Sequence, residues 1–102
     1  MSDPQPVLAA LADPTRRAVF ERLNAEGPAS ASQLATELPV SRQAIVKHLN
    51  QLDRVGLVDR SPKGREVVFS ARVAPLGDVT SWLETVGDQW DERLERLQQV
   101  FE

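Results

Sequence analysis

The 102-residue chain contains no cysteine and no tyrosine, and only one histidine and one methionine. The missing thiols exclude disulfides, thiolate metal centres and cysteine nucleophiles. One histidine, no tyrosine, no glycine-rich phosphate loop and no converging carboxylate pair leave little from which to assemble an acid–base or nucleophilic site, so an enzyme is not expected. No apolar run approaches the roughly 20 residues that span a bilayer. The opening MSDPQPVLAA also lacks the basic-then-apolar order of a secretory signal. The expectation is a soluble, cytoplasmic protein with no membrane partner, no metal and no cofactor.

Hydrophobic residues make up 41% and charged residues 26%, the balance of a folded globular protein. The length suits one domain, residues 1–102. A chain this short buries only roughly two-thirds of its unfolded surface. Pairing of two chains would therefore add useful stability if a spare apolar face exists.

The net charge is −3, but it is not evenly spread. Residues 1–40 sum to −2 and residues 73–102 to −5, whereas residues 41–72 sum to +4 through Arg42, Lys47, Arg54, Arg60, Lys63, Arg65 and Arg72. Binding to phosphates depends on a local basic footprint, not on the total. The middle third has one.

Residues 1–6, with two prolines, read as a flexible arm, and 7–12 as a short apolar helix. Asp13-Pro14 starts a second helix, with Asp as N-cap and Pro where a missing N–H costs nothing. Val19, Phe20 and Leu23 take core spacing in it. Arg16 and Arg17 have two open readings, phosphate contact or internal salt bridge, and Arg17 can pair weakly with Glu21. Gly27-Pro28 breaks the chain. Ser30 to Gln33 matches a capping box and opens a short helix burying Leu34, Ala35 and Leu38.

Pro39-Val40 then forces a turn, and Ser41 caps the next helix. Its core stripe is Ile45, Leu49, Leu52 and Val55, and Gly56 ends it. Leu57-Val58 and Val67-Val68-Phe69 are β-prone runs joined by SPKGRE, with Pro62 and Gly64 at expected turn positions. Residues 30–55 thus read as a helix-turn-helix and 57–71 as a hairpin wing. The predicted fold is α+β, mainly α: a winged helix-turn-helix with a two-stranded β-hairpin wing.

Two helices joined by a turn of three or four residues, followed by a hairpin, place the second helix across a DNA major groove. Ser41 can cap and also offer its hydroxyl to a phosphate at the positive helix end. Arg42 and Gln43 reach base edges, with guanine and adenine as their respective geometric preferences, and Val46 can meet a thymine methyl. Lys47 and His48 suit phosphate or groove-edge contacts. His48, next to Leu49, also has a plainer reading as a partly buried packing residue. Lys63 and Arg65 at the hairpin tip suit a wing that touches the backbone or the adjacent minor groove. The rival reading is a winged-helix module for protein–protein contact that binds no DNA.

From Pro75 a helix is expected to run to about residue 101 despite Gly77 and Gly87. Its apolar residues are Leu76, Val79, Trp82 or Leu83, Val86, Trp90, Leu94, Leu97 and Phe101. The stripe has two readings, folding back on the chain's own core or packing on a second subunit. Residues 19–69 already supply a core, so the second is adopted. Val7, Leu8 and Leu11 of the 7–12 helix are expected to complete that dimer interface. Tryptophan-centred contacts of this kind concentrate interface energy.

LADPTRRAVFERL, SRQAIVKHLNQLDRVGLV and GREVVFSA together resemble the ArsR/SmtB family of bacterial winged-helix repressors, over about residues 8–102. The ending WLETVGDQWDERLERL is similar to a metal-independent branch often found beside genes for small START-like domain proteins. The resemblance implies homodimers joined through first and last helices. It also implies repression of their own or an adjacent operon at an imperfect inverted repeat. Metal-sensing members carry cysteines where this chain has Glu37-Leu38-Pro39-Val40. Others use Asp and His on the last helix, where Asp78, Glu84, Asp88, Asp91 and Glu92 have no histidine partner here. Position 46, commonly serine in the family, is valine, which implies an altered base preference. No small-molecule inducer is assigned.

Overall fold

Prolines and short polar caps set the first boundaries. Helix α1 spans Gln5–Ala12 and α2 spans Pro14–Glu26, separated by the single extended residue Asp13. Asp13 Oδ1 accepts from the Arg16 N–H at 2.9 Å, as the N-cap reading requires. The computed structural model describes residues 3–101. Met1, Ser2 and Glu102, together with the side chains of Val100 and Phe101, lie outside the described residues. Helix α1 begins two residues before the expected 7–12 boundary. Pro4 sits at the N-cap and Pro6 in the first turn, where neither needs a donor, so these prolines start a helix instead of preventing one.

The last carbonyls of α1 find unusual partners. Arg16 donates from Nε to the Ala10 carbonyl and from Nη2 to that of Ala9 at 3.0 Å, and Arg17 donates to that of Leu11 at 3.1 Å. These carbonyls have no partner within the helix, and the two guanidinium groups supply one. Arg17 also lies 3.8 Å from Glu21, with both side chains exposed, a pairing of little energetic weight. In this chain both arginines therefore work internally.

Gly27, at φ 95, ends α2 in a conformation suited to glycine. Residues Ala29–Ser30 form a short strand, β1, and α3 follows at Ala31–Glu37. Ser30 Oγ accepts from the Gln33 N–H at 3.1 Å. The return half of the expected capping box is not made, since the Gln33 amide bears on Glu37 instead. Only Leu34 of the three expected core residues of α3 is fully buried, with Ala35 and Leu38 packed at the edge.

Four residues separate α3 from α4, Arg42–Arg54, whose cap Ser41 accepts from the Ala44 N–H at 3.1 Å. Helix α4 stops in a two-bond motif. The N–H groups of Gly56 and Leu57 donate to the carbonyls of Asp53 and Leu52, each at 3.0 Å, and Gly56 takes φ 77. Leu52 and Leu57, which this motif brings together, are both wholly buried.

Strands β2, Val58–Lys63, and β3, Glu66–Ala71, pair antiparallel with Lys63 opposite Glu66, leaving Gly64-Arg65 as a two-residue turn. Glycine at the first position with φ 65 is the arrangement of a type II′ turn. Pro62, expected in the turn, lies inside β2 opposite Val67. The sheet order is β1-β3-β2, so β2 is an edge, where a strand tolerates a missing donor. The hairpin is two-stranded as expected, and β1 adds a third strand on its inner side, Ala29 opposite Phe69. A two-residue strand has no periodicity from which to be read.

Val19, Leu23, Leu34, Ile45, Leu49, Leu52, Leu57 and Val58 are almost entirely buried and form one core. Truncating any of its Leu or Ile side chains to Ala would cost about 2–5 kcal/mol. Val7 belongs to this core at 4% exposure. That corrects its assignment to a dimer interface: α1 is short and lies on α2, and Val7 is on the side that faces inward. Leu11 packs against the core edge, and Leu8 is only partly covered.

Helix α5, Leu76–Phe101, starts on the body through Leu76 and Val79 and then leaves it. The chain measures 67 × 27 × 20 Å, with a radius of gyration of 18.2 Å. A compact chain of this length would have about 13 Å. Trp82, Leu83, Trp90, Leu94 and Leu97 are each roughly half exposed, and Val86 is partly covered. The stripe does not fold back on the chain's own core.

Candidate nucleic-acid interface

Helix α4 owes its position to the elements beneath it. Arg22 of α2 donates to both carboxylate oxygens of Glu37 at the end of α3, at 2.6 and 3.3 Å, and to the Gly27 carbonyl at 2.9 Å. This paired geometry raises the affinity of Arg22 for its proton and lowers that of Glu37, chiefly through the hydrogen bond itself. From the other side, Arg16 Nη1 donates to Gln51 Oε1 at 2.6 Å, joining α2 to α4.

On that frame, Ser41, Arg42, Gln43 and Lys47 are exposed along the first two turns of α4, with Val46 partly covered between them. Ser41 uses an oxygen lone pair in capping, which leaves its O–H free to donate outward. Arg42 Nε donates to Ser32 Oγ of α3 at 3.0 Å, which aims the guanidinium and leaves its terminal nitrogens unspent. Lys63 and Arg65 are exposed at the wing tip. Seven of the eight residues expected to meet DNA therefore lie on the exposed part of α4 or on the wing.

His48 is the exception. Three residues beyond Ile45 and one before Leu49, it is turned toward the covered side of α4, and its Nδ1 is enclosed with no hydrogen-bond partner. It acts on the charge of Asp13, at the start of α2. Asp13 holds its proton less tightly than usual, first because it caps the Arg16 N–H and, to a smaller degree, because of His48. The packing reading of His48 is the one its placement agrees with.

Two further residues join the set. Arg60 Nη2 on β2 donates to Asn50 Oδ1 of α4 at 2.9 Å and lies 3.4 Å from Asp53 Oδ2. Its guanidinium also stacks 5.4 Å from the centre of the Phe69 ring. These contacts brace the wing against α4. Between the two runs a groove of about 280 Å3, lined by Arg42, Val46, Asn50, Arg60, Arg65 and Phe69 among others. Sequence contains a signal for both residues. Asn50 continues the exposed side of α4 one turn beyond Val46 and Lys47, and strand alternation puts Arg60 on the same face as buried Val58.

Among the described residues no helix is long and apolar enough to cross a membrane. Residues 11–61 match a family model described as a helix-turn-helix domain. Over 60 residues, 59% of this chain, it is 50% identical to the HTH-type transcriptional regulator Rv2034 of Mycobacterium tuberculosis, of whose length it spans 55%. It is 30% identical over 77 residues to the transcriptional repressor SdpR of Bacillus subtilis, covering 76% of this chain and 84% of that one. Among solved structures, an ArsR-like transcriptional regulator from Rhodococcus sp. RHA1 superposes with a TM-score of 0.82 at 45% identity. That match covers 97% of this chain and 92% of the other. By its helix-turn-helix region and by full-length likeness in sequence and fold, the chain belongs to the ArsR-like family of helix-turn-helix transcriptional regulators.

Proposed function

We propose that the protein is a homodimeric, sequence-specific repressor that binds an imperfect inverted repeat in its own or an adjacent operon without sensing a metal. The observation that carries the DNA-binding reading is the exposed start of α4, with Arg42, Gln43, Val46 and Lys47 beside a wing tipped by Lys63 and Arg65. This segment also holds the chain's only net positive charge. Arg42, Gln43 and Val46 read base edges, whereas Ser41, Lys47, Lys63 and Arg65 hold phosphates.

A single α4 covers one half-site. The half-exposed stripe Trp82, Leu83, Val86, Trp90, Leu94 and Leu97, on a helix that leaves the body, supports pairing with a second copy, Leu8 and Leu11 adding to its edge. A two-fold pair would read half-sites about one helical turn apart, with the acidic α5 helices away from DNA. Metal independence is supported by the lack of cysteine and by a lone histidine whose Nδ1 is enclosed. No catalytic role is proposed, and the site of action is the cytoplasm, where a bacterial chromosome lies.

Footprinting on DNA upstream of the protein's own gene, with and without zinc, tests this reading. Protection of an inverted repeat that metal does not alter is the expected result. An absence of protection at physiological salt would overturn it in favour of a winged helix that binds only protein.

A further inference from the structure

The groove between α4 and the wing brings three guanidinium groups, Arg42, Arg60 and Arg65, around an apolar floor that includes Val46, Val67 and Phe69. Against them stand Glu66 in the lining and Asp53 beside Arg60, so the positive charge is in excess. Arg60 is pre-set for a further bond. Asn50 and Asp53 engage its Nη2, and Phe69 supports its plane, while Nε and Nη1 have no protein partner among the described residues. Ordering an arginine on binding costs rotamer freedom, a cost that these contacts have largely met in advance.

An anion joined to a small apolar ring is the ligand chemistry that fits such a lining. At about 280 Å3 the groove lies just under the roughly 300–1,000 Å3 of sites for drug-sized molecules, and it opens beside the residues that face DNA. Deoxyribose-phosphate meets each condition, with the sugar on Val67 and Phe69 and the phosphate at Arg60 and Arg65.

We propose that this groove seats one backbone phosphate of each operator half-site, with Arg60 as its principal cation. The proposal rests on the DNA-binding reading above and adds to it a contact made by Arg60 of β2, between the α4 surface and the wing tip. It also gives the Arg60–Asn50 bond a purpose: the phosphate is held at a set distance from the base-reading side chains of α4.

The test couples a protein change to a DNA change. Operator duplexes carrying one neutral methylphosphonate linkage at a time are titrated with wild-type protein, Arg60→Gln and Asn50→Ala. Gln keeps an apolar stem against Phe69 but removes the charge, and thermal unfolding of each variant verifies folding. At one linkage per half-site the wild type should lose about tenfold in affinity, the scale of one charge-assisted hydrogen bond. Arg60→Gln should lose a similar factor on unmodified DNA and nothing further at that linkage. Its salt slope should be shallower by about 0.9 per protomer. Asn50→Ala, which keeps the charge, should remain sensitive to the linkage. Losses that add at every position would overturn the proposal while leaving DNA binding intact. Failure of the wild type to bind the unmodified operator would overturn both.

Discussion

Arg16 of α2 and Gln51 of α4 are 35 positions apart in the chain and joined at 2.6 Å, Nη1 donating to Oε1. Other nitrogens of the same guanidinium hold the carbonyls of Ala9 and Ala10. One partly buried side chain thus fixes the end of α1 and the flank of α4 that carries Gln51. Arg16→Ala leaves those carbonyls without partners and should lower stability by about 1–3 kcal/mol. Gln51→Ala removes only one neutral partner and should cost less. Thermal unfolding at fixed protein concentration measures both, the concentration being fixed because association would shift the midpoint. Equal losses for the two variants would contradict the assigned clamp.

Acid should loosen the frame under α4. Glu37 and Asp13 both hold their protons less tightly in the folded chain than their ordinary values of 4.5 and 3.8 imply, Glu37 through Arg22 and Asp13 through its cap. A depressed pKa contributes stability above the unfolded value and loses it as pH falls through the folded one. The melting temperature should therefore decline as pH drops below 4.5 toward and past 3.8. Glu37→Gln and Asp13→Asn should start lower at neutral pH and decline less. A melting temperature with the same acid dependence in all three proteins would refute the assignment.

Much of this was legible in the chain because it depends on local chemistry. Asp13, Ser30 and Ser41 cap helices where their side chains can reach an N–H three residues on, and Gly56 stops α4 because the motif needs a positive φ. The apolar period of α4 separated Ile45, Leu49 and Leu52 from the face toward solvent. What escaped depends on partners distant in sequence. The strand at Ala29–Ser30 exists because β3 lies beside it, and Pro62 is tolerated in β2 because that strand is an edge. Val7 turns inward because of where α1 lies on α2, which eight residues of pattern do not disclose. Long arginines were least legible of all. Arg16, Arg22 and Arg60 each choose acceptors on another element.

Gly56 offers a test of the helix stop. A methyl group there would meet Pro75 Cγ at an ordinary 3.5 Å, so space is not the constraint. The backbone is, since φ 77 costs an L-residue about 1–2 kcal/mol. Gly56→Ala should lower stability by that amount, read by chemical unfolding. A neutral or stabilising effect would mean that the turn leaves its positive-φ form at little cost.

The stripe on α5 predicts the assembly. Trp90 lies near its middle, 54% exposed, with Arg93 5.2 Å from its ring. Trp90→Glu places a charge in the proposed seam and should yield monomers in light scattering, with severely weakened operator binding. A dimer that survives this change would move the interface off α5.

The central claim is that an acidic protein binds DNA through a locally basic helix and wing. Its most direct test is the salt dependence of affinity for the footprinted duplex, measured by fluorescence anisotropy. If a dimer neutralises about six phosphates, log affinity should fall against log salt with a slope of about −5. Arg42→Ala and Gln43→Ala should weaken binding to that duplex more than to an unrelated one. A slope near zero, or equal binding of both variants and wild type to both duplexes, would contradict the account.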